Sequence, residues 1–477
     1  MPTPASRFYV GGEWRYASDP QHSLDLCNPY GGSKVGTVAL AGAADLDLAV
    51  RRAASGFERT RSLQSYERHE ILSAVASELQ VRKEELAALI TAEVGKPRSA
   101  SRLEVDRSIT TFQYAAEEAR RFGGEVVPLD LTRAGHDKFG IVRRFPRGIV
   151  LAISPFNFPL NLVAHKVAPA IASGNAVIVK PALQGCLTSL ILAEIIASTG
   201  LPKEAFSVTP CRNELAETLV TDPRIAMLSF TGSPGVGWPL KAKAGRKKVV
   251  LELGGNAGVI VDRSADLALA VSRNLAGAFV FSGQVCIKVQ RIYVHSDCFD
   301  EYCREFVKGT KALLCGDPQR EDVFIGPVIN AEAKERILAW IDEAKRLGAT
   351  VLCGGGAVGN IVEPTVLKDV PREAKVFSSE VFGPVVTLHK FDTIGEAAAG
   401  INDSEFGLQA GIFTNDYSNI LFAYKHFDVG AVIVNDNPTF RVDNMPYGGI
   451  KSSGFGREGV RYAMDEMTEQ KMLALRA

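Results

Sequence analysis

The sequence lacks an excess of charge of either sign, since 54 lysine and arginine residues balance 54 aspartate and glutamate residues in 477. Without a large positive field, the protein is poorly suited to hold a nucleic acid or an anionic membrane. No apolar run reaches the roughly 18 residues that span a bilayer, and "MPTPASRFYVGGEW" lacks the apolar core of a signal peptide. We therefore expect a cytoplasmic protein with a small-molecule substrate and neither a nucleic-acid nor a membrane partner.

The sequence also lacks the cysteine patterns that bind metals. Its eight cysteines form no CxxC pair and no Cys/His cluster suited to zinc, so we expect no metal cofactor. A G-x-G-x-x-G match at Gly354, Gly356 and Gly359 is followed by "IVEPTVL", which is not a helix, and this pattern predicts a surface turn. A hydrophobic fraction of 46% and 44 glycines indicate a globular protein of two or three domains.

Hydrophobic periodicity predicts an α/β protein with two lobes. Residues 45–122 repeat apolar positions at helical spacing. Five short apolar runs then alternate with helical stretches near 160–172, 187–199, 213–221 and 234–243, and this alternation predicts a doubly wound parallel sheet. These five strands are "GIVLAIS", "AVIVKP", "FSVT", "IAMLSF" and "KVVLEL". A second alternating set from "AGVIV" to "GAVIVND" predicts a second sheet, and "DKFGIVRRFPRG" predicts a short strand pair that projects from the body.

Four residues at strand ends or in loops carry separate chemical signals. Asn157 in "ISPFNFP" is a potential oxyanion donor or a turn former, and Lys180 ends a strand where a nucleotide would lie or where water solvates it. Glu252 in "LELGGN" is either a desolvated general base or half of a buried ion pair. Cys286 in "GQVC" is a nucleophile or a buried thiol. Together the four meet the requirements of acyl-enzyme chemistry in one cleft.

Seven blocks of the sequence resemble the aldehyde dehydrogenase superfamily, in order and at about its spacing. They are "SPFNFP", "GNAVIVKPA", "FTGS", "LELGGN", "GQVC", "EVFGPV" and "MPYGGIKSSGFGREG". The resemblance implies a Rossmann-like coenzyme domain (1–123 and 147–252), an α/β catalytic domain (253–453) and a small β oligomerisation element (124–146 and 454–477). It also implies a homodimer or homotetramer, with "DKFGIVRRFPRG" and the tail "MTEQKMLALRA" adding strands across subunits.

The resemblance assigns roles to the residues of the candidate site. The Cys286 thiolate would attack an aldehyde, the Asn157 amide would hold the oxyanion, and Glu252 would activate the water that hydrolyses the thioester. The residues implied to contact the coenzyme are Ser154, Pro155, Phe156, Lys180, Gly232, Ser233, Val236, Glu380 and Phe382. Because Leu183 stands where NAD-preferring members commonly carry a glutamate, NADP is expected beside NAD, with Lys180 or Arg212 pairing its 2′-phosphate.

The implied substrate pocket is polar. Its residues are Arg107, Phe158, Leu162, His165, Val285, Arg441 and Tyr447. Two arginines and a histidine are costly to desolvate without an anion or polar group, so we expect a small polar or anionic aldehyde of the lactaldehyde, phosphonoacetaldehyde, sulfo- or semialdehyde type. The alternative is that the arginines pair with Asp443, Glu104 or another carboxylate.

The sequence most resembles the lactaldehyde and phosphonoacetaldehyde dehydrogenase branch, with blocks similar to non-phosphorylating glyceraldehyde-3-phosphate dehydrogenases. The latter carry an arginine before the cysteine, and Val285 in that place disfavours a phosphate ester. A cysteine hydrolase or thioesterase without coenzyme is the alternative from another enzyme class.

Overall fold

The computed structural model describes residues 7–17 and 22–476. Its α-helices are α1 Ala43–Thr60, α2 Ser65–Val81, α3 Lys83–Val94, α4 Arg98–Arg121, α5 Asn161–Ala172, α6 Cys186–Ala197, α7 Asn213–Thr221, α8 Pro234–Lys243, α9 Leu267–Phe279, α10 Phe299–Lys311, α11 Ala331–Arg346, α12 Lys375–Ser378, α13 Ile394–Asn402, α14 Tyr417–His426 and α15 Val460–Glu466.

The β-strands are β1 Arg7–Val10, β2 Glu13–Tyr16, β3 Ser23–Cys27, β4 Lys34–Ala39, β5 Glu125–Pro128, β6 Lys138–Pro146, β7 Ile149–Ile153, β8 Ala176–Lys180, β9 Phe206–Val208, β10 Ile225–Thr231, β11 Lys248–Glu252, β12 Ala257–Val261, β13 Val289–His295, β14 Thr350–Cys353, β15 Ala357–Val358, β16 Ile361–Val362, β17 Thr365–Lys368, β18 Val385–Phe391, β19 Phe406–Gly407, β20 Gln409–Phe413, β21 Ala431–Val434, β22 Ile450–Lys451, β23 Gly454–Phe455 and β24 Thr468–Arg476.

The first sheet is the predicted doubly wound sheet. Its strand order is β2-β1-β9-β8-β7-β10-β11-β23, and the five central strands are parallel. These five are the predicted apolar runs, and α5 to α8 lie between them as expected. The strand order reverses between β7 and β10, which is where open α/β sheets bind ligands at the carboxyl ends of their strands.

Burial on both faces explains why these strands are continuous apolar runs. Every residue of β7 and β8 is buried, and so is every residue of α5 between them. Parallel sheets covered by helices on both sides produce this pattern rather than an alternation of polar and apolar residues. The polar side chains that follow the strands are therefore held at one rigid edge.

The second predicted set of alternating strands forms a second sheet. Its order is β14-β17-β18-β13-β12-β20-β21, with parallel pairing from β17 to β21 and β14 antiparallel at one edge. The glycine-rich match is a turn after β14 that leads into the β15–β16 hairpin, as predicted.

The projecting segment differs from its prediction. "DKFGIVRRFPRG" forms one nine-residue strand, β6, and not a strand pair. β6 pairs with β5 on one side and with the tail strand β24 of the same chain on the other. Residues 454–455 join the first sheet as β23 and α15 packs on α5, so within 454–476 it is 468–476 that belong to the projecting sheet. The alternation of "DKFGIVRRFPRG" matched a strand, but one of its two partners, β24, lies more than 300 residues away.

Candidate active site

A left-handed turn presents Cys286. After α9, Phe281, Ser282 and Gly283 all have positive φ angles of 49°, 54° and 69°. Left-handed backbone at non-glycine residues is costly and persists only where the surroundings enforce it. Here the Ser282 hydroxyl donates to the carbonyl of Gly326 at 2.8 Å, and a Cβ on Gly283 would lie 2.3 Å from the carbonyl oxygen of Gly383. Glycine is therefore required at this close approach.

Cys286 lies where two cavities meet. The larger, of about 490 Å³, is lined at the carboxyl ends of β7, β10 and β11, and Asn157, Gly232 and Glu380 are among its residues. The smaller, of about 220 Å³, lies on the side of α4, and Arg107 and Arg441 are among its residues. Cys286 and Leu162 line both cavities. A molecule in each cavity would meet at the thiol.

The Cys286 thiol is protonated at rest. Burial raises its pKa to about 11, and the strongest opposing effect is a hydrogen bond between its Sγ and the Oη of Tyr447 at 3.1 Å. A nucleophilic cysteine acts as the thiolate, so this thiol must lose its proton before it reacts.

Asn157 lies directly across from the cysteine segment. Its Nδ2 donates to the carbonyl of Gln284 at 3.0 Å and retains a second hydrogen. Its Oδ1 is buried without a hydrogen-bond partner in the described residues. The loop that begins at the end of β7 thus brings an amide donor into the larger cavity, as predicted.

Glu252 ends β11 as a buried carboxyl group. It is 2% exposed, and neither oxygen has a hydrogen-bond partner within residues 7–17 and 22–476. Burial raises the pKa of Glu252 well above its ordinary value, and the nearby negative charge of Glu458 raises it further. The neutral form of Glu252 is therefore favoured. Its burial fits the desolvated carboxyl group of the first interpretation, and it forms no ion pair among the described residues.

Six of the nine predicted coenzyme residues line the larger cavity: Pro155, Phe156, Gly232, Ser233, Glu380 and Phe382. The rings of Phe156 and Phe382 meet edge to face at 6.0 Å. The backbone N–H of Gly255 donates to Glu380 at 3.0 Å, and burial raises the pKa of that carboxyl to about 7.

The other three predicted coenzyme residues do not line this cavity. The backbone N–H of Ser154 donates to the carbonyl of Lys180 at 3.2 Å, and the Lys180 ammonium donates to Asn213 at 2.8 Å. Val236 is half exposed in the first turn of α8. Lys180 and Val236 thus lie near the same sheet edge, outside the cavity itself.

The geometry of the larger cavity fits a dinucleotide. Gly232 and Gly254 line the cavity, so backbone borders it at both places, and a Cβ on Gly254 would lie 2.4 Å from Glu380 Oε2. Gly232 and Ser233 precede α8, and the first turn of a helix offers free N–H groups to phosphate.

Six of the seven predicted substrate residues line the smaller cavity: Arg107, Phe158, Leu162, Val285, Arg441 and Tyr447. His165 does not, because it is buried behind them and bonded through Nε2 to Asp443 at 2.8 Å. The sequence around His165 in α5 gave no sign of its bond to Asp443.

Both arginines pair with carboxylates, as the alternative interpretation held. Arg107 Nη2 donates to Asp443 at 2.7 Å, and Arg441 Nη2 lies 3.3 Å from Glu458. Both guanidinium groups nevertheless line the cavity, and the Arg107 side chain is 22% exposed. Pairing therefore holds the arginines in place without removing them from the cavity.

Sequence reasoning missed Lys96 and named Glu104 only as a possible partner of the arginines, yet both line the smaller cavity. The buried Lys96 ammonium contacts Glu104 and lies 3.7 Å above the centre of the Phe158 ring. Glu104 also accepts the backbone N–H of Leu160 at 2.9 Å. The sequence held a signal for Lys96, because it stands between a glycine and a proline. The glycine ends α3 in left-handed conformation and the proline precedes α4, so backbone geometry fixes the position of Lys96.

Two further cations near Cys286, Lys288 and Arg291, serve the local fold. The Lys288 ammonium donates to the carbonyl of Val385 at 2.6 Å, and the buried Arg291 donates to backbone carbonyls that include those of Asn256 and Gly400. Neither side chain lines the two cavities at Cys286.

A model of the aldehyde dehydrogenase family matches residues 14–473. The chain belongs to the aldehyde dehydrogenase family. A 3-sulfolactaldehyde dehydrogenase from Priestia aryabhattai is 42% identical over 468 residues, which cover 98% of this chain and 97% of that relative.

Solved structures of family members superpose closely on the chain. Aldehyde dehydrogenase 21 from Physcomitrella patens, in complex with the reaction product succinate, has a TM-score of 0.97 and 44% identity, with 98% of each chain covered. Glyceraldehyde-3-phosphate dehydrogenase GapN from Methanocaldococcus jannaschii, complexed with NADP, has a TM-score of 0.92 and 37% identity, with 95% of this chain and 99% of that chain covered. The predicted family, fold class and enzyme class are confirmed: the protein is an NAD(P)-dependent aldehyde dehydrogenase.

The described residues contain neither a membrane-spanning helix nor a cluster of metal ligands. Across 7–17 and 22–476, no helix is both long and apolar enough to cross a membrane. The same stretch holds no group of three or more His, Cys, Asp or Glu residues arranged for a metal ion. The cytoplasmic location stays a prediction.

Removing the Glu104 charge should destabilise the folded dehydrogenase. In Glu104→Gln, the buried Lys96 ammonium loses its counter-charge, and breaking a buried pair costs about 3–5 kcal/mol. We expect a clearly lower midpoint of thermal unfolding, measured by circular dichroism. Glu117→Gln on the same helix is the control, because Glu117 forms an exposed pair with Arg121 and should leave the midpoint nearly unchanged. Equal midpoints for both variants would contradict a stabilising role of the buried Lys96–Glu104 pair.

Proposed function

We propose that this aldehyde dehydrogenase oxidises a small aldehyde with a distal anionic group to its carboxylate, through a thioester on Cys286. The observation that carries the proposal is the position of the thiol between a coenzyme-sized cavity and a smaller cavity that is rich in cations. The smaller volume, about 220 Å³, suits a short substrate.

The charges around the smaller cavity leave one cation in excess. Four cationic side chains lie in it or beneath it: Lys96, Arg107, Lys166 and Arg441. Three carboxylates pair with them: Glu104, Asp443 and Glu458. Glu252 does not add a fourth negative charge because its raised pKa keeps it neutral, and burial lowers the pKa of His165 so that it adds no positive one. A substrate anion would balance the remaining charge.

Arg107 is the best-placed receptor for that anion. Its side chain lines the smaller cavity and is 22% exposed, against 6% for Arg441. Asp443, its counter-ion, is shared with His165, so the guanidinium is held without being saturated. Val285, directly before the nucleophile, offers only an apolar surface and disfavours a phosphate ester at that place.

Relatives support an anionic substrate. The Priestia aryabhattai relative is named for 3-sulfolactaldehyde, and the Physcomitrella patens structure holds succinate as reaction product. A sulfonate in one and a second carboxylate in the other stand beyond the reacting carbon. The sulfonate and semialdehyde classes are therefore favoured within the predicted set, ahead of lactaldehyde and phosphonoacetaldehyde.

The positions of Cys286 and Asn157 support the roles that we propose for them. Once deprotonated, Cys286 attacks the aldehyde carbonyl carbon, and the free hydrogen of Asn157 Nδ2 and the Cys286 backbone N–H stabilise the oxyanion. When bound, the nicotinamide coenzyme supplies the hydride acceptor. Phe156 and Phe382 would border it, Gly232 and Ser233 would hold its pyrophosphate, and Glu380 would bind a ribose.

Glu252 would activate the water that hydrolyses the thioester. Its carboxyl group has no fixed partner, so it is free to turn toward the thioester and accept a proton from water once it is ionised. A neutral resting state fits this role, because a permanently charged carboxylate beside the thiol would oppose thiolate formation.

NADP is the coenzyme that we propose beside NAD. Leu183 is neutral and half-buried at the end of the loop that follows β8, where a glutamate would repel a 2′-phosphate. Burial lowers the pKa of the Lys180 ammonium, and a phosphate partner would favour its charged form. The exposed Arg212 at the start of α7 is a second cation on this edge.

The projecting sheet supports assembly into a homodimer or homotetramer that adds strands across subunits. β24 lies at its outer edge and exposes Met472 and Leu473, by 46% and 55%. Exposed strand edges with apolar side chains bind other strands. Leu473→Lys should shift the protein toward a monomer of about 51 kDa in sedimentation velocity, whereas Val358→Lys in the β15–β16 hairpin should not. An unchanged oligomer in Leu473→Lys would remove the projecting sheet from the interface.

Glu252→Gln should separate the two halves of the reaction. The thioester still forms, because Cys286 and Asn157 are intact, but no residue accepts a proton from the hydrolytic water. We expect one equivalent of reduced coenzyme per subunit in a rapid burst, followed by turnover at least about 100-fold slower. Cys286→Ala should show neither burst nor turnover. Wild-type steady-state turnover in Glu252→Gln would remove this residue from the role.

The charge of the substrate should govern the effect of Arg107→Leu. Hydrogen bonds to charged groups contribute about 1.5–3 kcal/mol, so kcat/KM for succinate semialdehyde or sulfoacetaldehyde should fall roughly 10- to 150-fold. Butanal, which has no anionic group, should change less than about threefold. Arg102→Leu on the same helix is the control, since Arg102 binds Glu84 and Glu321 at the surface.

The same assays measure the coenzyme and the substrate class. Wild-type protein is assayed with NAD and with NADP on these aldehydes and on glyceraldehyde 3-phosphate, and we expect turnover with NADP. Equal losses for charged and neutral aldehydes in Arg107→Leu would show that Arg107 serves only the fold.

A further inference from the structure

Tyr447 is held more firmly than substrate contact alone requires. Its backbone exchanges two hydrogen bonds with Glu458, from N–H to carbonyl at 3.0 Å and from the Glu458 N–H back at 2.7 Å. The guanidinium of Arg441 lies 3.6 Å from the centre of its ring and is itself paired with the Glu458 side chain. One residue therefore fixes both the backbone of Tyr447 and the cation above its ring.

The fixed phenol meets the nucleophile directly. Tyr447 Oη lies 3.1 Å from Cys286 Sγ, and Tyr447 is 2% exposed. A phenol so placed can donate its proton to the sulfur in a hydrogen bond or accept the thiol proton in one. These two arrangements have opposite effects on the thiol, because a donor stabilises the thiolate and an acceptor stabilises the thiol.

Two features favour the phenol as donor. Burial raises the pKa of Tyr447 well above its ordinary value, so the phenol keeps its proton throughout the reaction. The Arg441 cation over the ring draws electron density from it, which strengthens an O–H donor and weakens a phenol oxygen as acceptor.

We propose that Tyr447 is a catalytic residue that donates a hydrogen bond to the Cys286 thiolate, and that Arg441 strengthens this donor through the ring. The inference rests on the role proposed above for Cys286 and extends Tyr447 beyond a substrate contact. No bond to Tyr447 forms or breaks, since its proton stays on the phenol oxygen. The guanidinium of Arg441 thus acts on the nucleophile as well as on the substrate cavity.

The test is the pH dependence of Cys286 alkylation by iodoacetamide in full-length protein without aldehyde or coenzyme, followed by peptide mapping. In Tyr447→Phe, which keeps the ring under Arg441, the apparent pKa of Cys286 should rise by about one pH unit and alkylation at pH 8 should slow about tenfold. Tyr462→Phe is the matched control, because Tyr462 lies at the surface on α15 and should leave both values unchanged.

An unchanged thiol pKa in Tyr447→Phe would overturn the proposal, and a lowered one would show that the phenol accepts the thiol proton. Neither result depends on which aldehyde is oxidised, so failure here is distinguishable from failure of the proposed substrate class. Intact coenzyme binding and unchanged thermal unfolding confirm that the variant is folded.

A double-mutant cycle tests the part of Arg441. Its positive charge also acts on the thiolate directly through space, and that effect is the same with or without the phenol. Arg441→Leu should therefore slow alkylation at least threefold more in the wild-type background than in the Tyr447→Phe background. Equal slowing in both backgrounds would show that Arg441 does not act on Cys286 through the Tyr447 ring.

Discussion

The buried carboxylate of Glu458 fixes the positions of three segments that build the active site. It binds the ammonium of Lys166 at 2.6 Å and the guanidinium of Arg441 at 3.3 Å, and its backbone pairs with Tyr447. Lys166 belongs to α5 in the first lobe, and its ammonium also donates to Thr231 at the end of β10 at 2.7 Å. Breaking a buried pair costs about 3–5 kcal/mol, so these segments hold one arrangement.

The same arrangement of charged groups explains why the neutral form of Glu252 is favoured. Although burial raises the pKa of both carboxyls, two cations hold that of Glu458 below its ordinary range, whereas Glu252 has no direct partner and faces the Glu458 charge. Two carboxyl groups in one desolvated region are thus separated into a permanent anion and a neutral acid, the arrangement that assigns acid and base roles. Because the Glu458 carboxylate forms the ion pairs that hold these segments together, Glu252 is free to change its protonation state.

The sequence predicted the strands, the strand-end residues and the family, but it named Asp443 only as one alternative partner of the arginines and gave no partner for His165. The strands were legible because burial on both faces makes each a continuous apolar run, and Asn157, Glu252 and Cys286 follow such runs or the turn after them. Arg107 and His165 both bind Asp443, which lies 336 and 278 residues away along the chain. No local pattern encodes such pairing. For the same reason, β24 was missed as a partner of β6 within the same chain.

Strain links the nucleophile to the coenzyme side of the site. Phe382, like Phe281 and Ser282, has a positive φ, of 46°, and such residues cost roughly 1–3 kcal/mol each. The two strained segments touch, because Gly283 leaves no room for a Cβ beside the Gly383 carbonyl. Lys288 closes the same contact by donating to Val385, and Gln290 accepts the N–H of Val381 at 3.0 Å. Since several bonds enforce one packed contact, the thiol and the aromatic wall of the larger cavity are positioned by the same interaction. A displacement of Phe382 would therefore also displace Cys286.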